Sequence, residues 1–283
     1  MRIRSGFRGC IDMTDRYAVI GNPVAHSKSP RIHAAFAKQT GQDLEYGLLP
    51  TPLGEFAASA NAFRATGGRG VNVTVPFKLD AFAYATSLTE RARAAGAVNT
   101  LKFAGDTVLG DNTDGAGLVY DIVERLEFSL AGKRVLLMGA GGAARGVLRP
   151  LLDQRPTSSA VANRTVERAL ALEQQFGAQG PVRGGGYADV KNESFDVVIN
   201  ATSASLSGEL PPLSPGAFAP GALAYDMMYG DKPTPFLAYA QQHGAARTAD
   251  GLGMLVAQAA ESFFVWRGVR PDIAPVIAQL RAS

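Results

Sequence analysis

The chain has 283 residues, 46% of them hydrophobic, and 28 Lys and Arg against 25 Asp and Glu give a formal net charge of +3. That length accommodates two domains with cores of their own, and no stretch reaches the roughly 18 uninterrupted apolar residues of a helical membrane span. The basic residues are scattered arginines rather than a Lys/Arg block interleaved with aromatics, which argues against a nucleic-acid partner.

Residues 1–12 form an Arg-bearing leader without the apolar core of a secretory signal. It reads as a disordered extension or as residues ahead of a true start at Met13. Its Cys10 is the single cysteine. A lone cysteine cannot close an intramolecular disulfide, which fits a reducing cytoplasm.

From Tyr17 to about Leu109, strands at 17–21, 44–49 and 70–75 alternate with helices at 30–40, 53–65 and 77–85, the pattern of a small α/β sheet with crossover helices. The run Ala25-His26-Ser27-Lys28-Ser29-Pro30 sets two hydroxyls just ahead of the first helix. Ser29 fits an N-cap, Pro30 the first helical position and Gly41 the stop. Capping leaves Ser27 unexplained, and both hydroxyls could donate to a substrate carboxylate near the positive helix end.

Asn72-Val73-Thr74-Val75-Pro76-Phe77-Lys78 and Gly110-Asp111-Asn112-Thr113-Asp114-Gly115-Ala116-Gly117 set an ammonium and a carboxylate at the ends of two apolar segments. Taken singly, Lys78 is as readily a solvated lysine and Asp114 a turn or cap residue. Spacing alone leaves those readings open beside a catalytic one. Paired next to a nicotinamide, the two groups would supply what carbonyl reduction requires, a proton for the oxygen that gains negative charge as hydride arrives. Asn99 and Gln258 are amides in apolar surroundings, where burial without a partner costs roughly 1–3 kcal/mol, so each is expected to have one.

A helical segment at 118–126 links this unit to a second run, in which Val135–Met138, Ala160–Ala162, Asp196–Asn200 and Leu223–Asp226 read as buried parallel strands. Gly139-Ala140-Gly141-Gly142-Ala143-Ala144 follows the first of them and opens a helix, the strand-turn-helix setting of a dinucleotide-binding G-x-G-x-x-A. The next strand ends in Asn163-Arg164-Thr165, with Arg168 a turn later. NAD enzymes usually carry an acid there for the ribose hydroxyls; two arginines and no acid predict a 2′-phosphate, hence NADP. Residues 203–220 form the longest irregular stretch. Residues 252–267 and 272–281 are helical without a further strand and are expected to fold back onto the first unit. The fold class is therefore α/β with two α/β domains: a substrate domain at 13–115 completed by 251–283, and a Rossmann-like NADP-binding domain at 116–250, with the cleft between them. The three histidines show no metal-ligand spacing and read as structural.

Through Ser27-Lys28-Ser29-Pro30, Asn72 to Lys78, Gly96-Ala97-Val98-Asn99-Thr100, Asp111 to Gly115, Gly139 to Ala144, Asn163-Arg164-Thr165, Asn200-Ala201-Thr202-Ser203, Tyr225-Asp226-Met227 and Asp250 to Gln258, the chain resembles the shikimate dehydrogenase family from Tyr17 to its end. The resemblance implies NADPH-dependent reduction of 3-dehydroshikimate to shikimate in aromatic amino-acid biosynthesis, by a cytoplasmic monomer or homodimer. It makes Lys78 the proton-transfer residue and Asp114 its partner and a ligand of the substrate hydroxyls. Ser27, Ser29 and Tyr229 would hold the carboxylate, with Thr74, Asn99 and Gln258 completing the substrate pocket. Gly139, Ala140, Gly141, Gly142 and Ala143 would line the cofactor together with Asn163, Arg164, Thr165 and Arg168. Thr202, Met227, Gly251 and Glu90 complete the implied cofactor set. The alternatives are a quinate/shikimate dehydrogenase, which often uses NAD, and a non-catalytic NADP-binding sensor on the same fold.

Overall fold

Burial is continuous from Tyr17 to Gly21 of β1 (Asp15–Gly21), so both faces of the strand are covered. Ala18 and Ile20 turn to one side and pack with Val71 and Val73 against Phe56, Ala60 and Ala81. Tyr17 turns to the other, where its ring stacks on Trp266 at 4.6 Å between centroids. In the computed structural model, which describes residues 14–202, 204 and 209–282, this strand lies inside a six-stranded sheet. The leader at 1–12 lies outside the described residues.

The sheet runs β2 (Leu44–Pro50), β1, β3 (Gly68–Val73), β5 (Thr100–Ala104), β6 (Thr107–Asp111) and β4 (Ser87–Leu88). β1 is parallel to both its neighbours, as strand-helix alternation requires. β5, by contrast, runs antiparallel to β3 and to β6. This hairpin is absent from the alternation read in the sequence, although its turn is the dipeptide Gly105-Asp106 with Gly105 at φ 56°, a standard two-residue hairpin signal.

α2 (Phe56–Ala65) and α3 (Lys78–Tyr84) cover one face. α1 (Ser29–Thr40) and α9 (Leu252–Arg267) lie on the other through Ile32, Phe36, Val256 and Phe263, and α10 (Ala274–Arg281) packs on these two helices through Leu280. α1 corrects one detail. Its cap position is Lys28, not Ser29, and the Ser27 hydroxyl accepts the Ser29 N–H at 3.2 Å, closing the turn one step earlier than expected. Gly41, at φ 64°, ends the helix as read.

The second sheet has the order β9 (Val182–Gly185), β8 (Ser158–Ala162), β7 (Arg134–Met138), β10 (Phe195–Asn200), β11 (Phe218–Asp226), β12 (Arg247–Asp250), and every pairing is parallel. That is the doubly wound dinucleotide-binding order, with its switch point between β7 and β10. Leu137, Val161 and Ile199 face Val147 and Leu151 of α6 (Gly142–Asp153), while Leu136, Met138 and Val198 face Phe236 and Leu237 of α8 (Pro235–Gln242). Burial on both faces explains the unbroken apolar run at 135–138. α7 (Val166–Phe176) shares the α6 face. β11 begins at Phe218, inside the stretch read as irregular. Its register jumps from Phe218 to Leu223 across Pro220-Gly221, which hides the strand's first half from a pattern reading.

α5 (Asp114–Tyr120) and a π-helical turn at Asp121–Arg125 join the two sheets. Asp121 is fully buried there, ion-paired to Arg125 and accepting the Tyr225 hydroxyl at 2.7 Å. Among the described residues no helix is long and apolar enough to cross a membrane.

Candidate active site

Lys78 opens α3 and Asp114 opens α5. A carboxylate in the first turn complements the helix dipole, whereas an ammonium opposes it, so helix stability does not account for Lys78 at that position. The two strands that precede these helices end at the same edge of the first sheet. Lys78 C=O accepts the Val98 N–H at 3.0 Å, and the Asn112 side chain bonds Ala97 C=O and Asp114 N–H at 3.1 and 3.2 Å, tying the two turns together. Lys78 Nζ thereby reaches 2.5 Å from Asp114 Oδ2.

The pair lines a cavity of about 390 Å³ that takes Val19, Asn72 and Val73 from the first sheet and Met227 and Gly251 from just beyond β11 and β12 of the second. Every residue assigned to the substrate lines it: Ser27 and Ser29 at the start of α1, Thr74 after β3, Asn99 and Asp114 beside Lys78, Gln258 on α9 and Tyr229. The amides have the partners their burial demands. Asn99 Nδ2 donates to Asp114 Oδ1 at 2.8 Å and to Gln258 Oε1 at 3.3 Å, and Gln258 Nε2 donates to Leu255 C=O at 3.0 Å. Lys28 Nζ stands 5.4 Å from the centre of the Tyr229 ring, adding a second cation at the mouth beside the two serines. Burial, reinforced by the Asp250 carboxylate, holds the Tyr229 phenol above its ordinary pKa, so it remains a hydrogen-bond donor near neutrality.

A second cavity of about 490 Å³ opens over the glycine turn. Gly139 takes φ 103°, which favours glycine, and a Cβ there would sit 3.1 Å from Ala201 C=O. Gly141, Gly142 and Ala143 expose the start of α6, while buried Ala144 packs it on the sheet. Backbone N–H groups at such a helix start form an anion site. Ala140, Asn163, Arg164, Arg168 and Thr202 line the same groove. Arg164 and Arg168 make no ion pair among the described residues, leaving both cations available to an anionic ligand. This donor set fits the pyrophosphate and 2′-phosphate of NADP.

Four expected cofactor residues lie elsewhere. Thr165 stands at the cap position of α7 and does not line the groove. Met227 and Gly251 border the substrate cavity, where Met227 C=O leaves no room for a side chain at position 251. Glu90 opens α4 (Glu90–Ala95) and lines a different cavity with Arg91, Lys102 and Phe264. Its place behind the Thr89 cap, which accepts the Ala92 N–H at 3.2 Å, accounts for an acid there through the helix dipole.

The chain matches the model of the shikimate dehydrogenase substrate binding domain over residues 19–101, that of shikimate/quinate 5-dehydrogenase over 121–207, and that of the shikimate 5′-dehydrogenase C-terminal domain over 251–281. It is 61% identical to the shikimate dehydrogenase (NADP(+)) of Nitrosospira multiformis, across 96% of this chain and 98% of that protein. The chain belongs to the shikimate dehydrogenase family. Its fold also matches the crystal structure of an Ael1 enzyme from Pseudomonas putida, with a TM-score of 0.88 and 49% identity over 94% of this chain and 98% of that one. A shikimate 5-dehydrogenase from Thermus thermophilus, solved in complex with NADP(H) and shikimate, aligns with a TM-score of 0.84 and 32% identity over 95% and 99% of the two chains.

Within this family member, reading the sequence missed several lining residues. Tyr187 joins Arg164 in lining the groove over the glycine turn; it follows β9, a short Gly-ending strand that carries no pattern. Asn72, Val24 and Met254 line the substrate cavity. His26 lines it too, so of the three histidines only His33 and His243 are purely part of the packing, each stacked on a tyrosine. Among the described residues no cluster of His, Cys, Asp or Glu could hold a metal ion.

Proposed function

We propose that this cleft interconverts shikimate and 3-dehydroshikimate with NADP, using Lys78 and Asp114 as the proton-transfer pair. The observation that carries the reading is the 2.5 Å contact between Lys78 Nζ and Asp114 Oδ2 inside a cavity also lined by Met227 and Gly251, which follow β11 and β12. The bound nicotinamide supplies the hydride chemistry. Lys78 donates a proton to the carbonyl oxygen in reduction and, once neutral, removes it from the hydroxyl in oxidation. Asp114 holds the ammonium in place and accepts from the substrate hydroxyl beside it. Ser27, Ser29 and Tyr229 hold the carboxylate by donating to it, and Thr74, Asn99 and Gln258 fix the ring hydroxyls. These contacts exist in both ground and transition states and therefore govern binding more than rate.

Arg164 and Arg168, with Asn163, hold the 2′-phosphate, and the amides of Gly141 to Ala143 hold the pyrophosphate. Residues 13–115 with 251–283 act as the substrate unit and 116–250 as the cofactor unit, an assignment supported by α9 packing on the first sheet and α10 on α1 and α9. The lone cysteine supports a cytoplasmic enzyme. An assay of NADP reduction with shikimate, repeated with quinate and with NAD, tests the reading. Fast turnover with shikimate and NADP alone supports it. Equal use of quinate or NAD would make the chain a quinate/shikimate dehydrogenase, and binding of NADP without turnover would make it a sensor.

A further inference from the structure

Behind Asp114, the buried polar groups form a chain of hydrogen bonds that runs in one direction. Tyr46 on β2 donates its phenolic hydrogen to Asn72 Oδ1 at 2.8 Å. Asn72 Nδ2 donates to Thr100 Oγ1 at 3.1 Å, Thr100 donates to Asn99 Oδ1 at 2.9 Å, and Asn99 Nδ2 donates to Asp114 Oδ1 at 2.8 Å. Two backbone groups that can play only one role fix this direction. Asn99 C=O, which only accepts, lies 3.3 Å from Asn72 Nδ2, so the oxygen of that amide faces Tyr46. Thr113 N–H, which only donates, lies 2.9 Å from Asn99 Oδ1, so the nitrogen of that amide faces Asp114.

Thr100 is fully buried, and Asn72 and Asn99 are nearly so. Hydrogen bonds in such surroundings polarise one another. One oxygen of Asp114 is thereby occupied, and the carboxylate is oriented with the other toward Lys78. Ser262 Oγ on α9 braces the middle of the chain, accepting from Asn72 Nδ2 at 2.9 Å and lying 2.8 Å from Thr100 Oγ1.

We infer that Tyr46 and Thr100 are positioning residues for the reaction: the directed chain from Tyr46 through Asn72, Thr100 and Asn99 holds the Asp114 carboxylate in the orientation that aligns Lys78. The inference rests on Lys78 and Asp114 being the proton-transfer pair. Neither Tyr46 nor Thr100 lines the substrate cavity, so neither touches substrate.

The test is a double-mutant cycle on kcat, with the NADP KM and the melting temperature recorded for each variant. Thr100→Val removes the hydroxyl and keeps the branched shape; Tyr46→Phe removes a single oxygen at the start of the chain and serves if the first variant folds poorly. Either change is expected to lower kcat about three- to tenfold, the scale of one hydrogen bond between neutral groups, with the NADP KM within about twofold. In an Asp114→Asn background the same change should cost less than about twofold, because its route to the reaction is already gone. Parental kcat in both single variants, or an undiminished loss in the Asp114→Asn background, would overturn the inference. Parental kcat in Asp114→Asn itself would instead remove the proton-transfer pair on which the inference rests.

Discussion

The backbone of Gly117 on α5 runs directly against Gln258 on α9. A Cβ at position 117 would lie 2.6 Å from Gln258 N and 2.7 Å from its Cβ. Glycine here is a packing requirement, since the residue is in ordinary helix, and it sets how closely the helix carrying Asp114 approaches the helix carrying Gln258. Gly117→Ala should destabilise the fold by about 1–3 kcal/mol, the usual cost of overpacking a tight contact, and raise the shikimate KM as Gln258 shifts. Urea unfolding and steady-state kinetics measure both; an unchanged midpoint and KM would show that the helices give way freely.

His33 makes stability depend on acidity. It is fully buried, stacked on Tyr46 at 4.2 Å, and neither ring nitrogen has a hydrogen-bond partner among the described residues. Burial lowers its pKa from 6.5 to about 3. The unfolded chain therefore binds a proton below about pH 6.5 that the folded chain refuses until near pH 3. The stability tied to neutral His33 is complete above the unfolded pKa and is lost as pH falls, by about 1.4 kcal/mol per unit. His33→Phe should flatten the acid limb of the stability curve by about that slope between pH 6 and 4. Parallel curves for variant and parent would mean that the ring is protonated in the fold.

The arginines at the end of β8 predict cofactor choice. Arg164→Ala combined with Arg168→Ala removes two charge-assisted donors to a phosphate, each contributing about 1.5–3 kcal/mol. The NADP KM should rise tenfold or more while the NAD KM changes little. Equal effects on both cofactors would exclude a 2′-phosphate site at these residues.

The glycine turn and the two arginines are legible in the sequence because each needs its residue type at a fixed step after a strand, whereas spacing leaves Lys78 and Asp114 open and the family resemblance supplies their expected role. Ser27 and Gln258 are legible for a different reason: a hydroxyl unneeded for capping and an amide in an apolar helix both call for a partner. The β5–β6 hairpin is hidden because its strands interrupt a strand-helix rhythm that continues after it, although Gly105-Asp106 marks the turn. β12, Arg-Thr-Ala-Asp, has no apolar alternation of its own and is a strand because β11 supplies its hydrogen bonds. The chain from Tyr46 to Asp114 leaves no trace in the sequence. Apart from the neighbours Asn99 and Thr100 its members are separated along it, and the pairing of β1 with β2 and β3, of β3 with β5 and of β5 with β6 brings them into line.

The central claim is that Lys78 transfers the proton, and one comparison tests it most directly: kcat of Lys78→Ala beside its shikimate affinity measured by calorimetry. Loss of a group that acts mainly in the transition state should lower kcat by about 10²- to 10⁴-fold and leave the dissociation constant within a few-fold of the parent. Ser27→Ala, which loses a contact to the unreacting carboxylate, should show the reverse pattern of weaker binding and nearly parental kcat. A Lys78→Ala enzyme with kcat within a few-fold of the parent would leave the proton to Asp114 or to water and contradict the account.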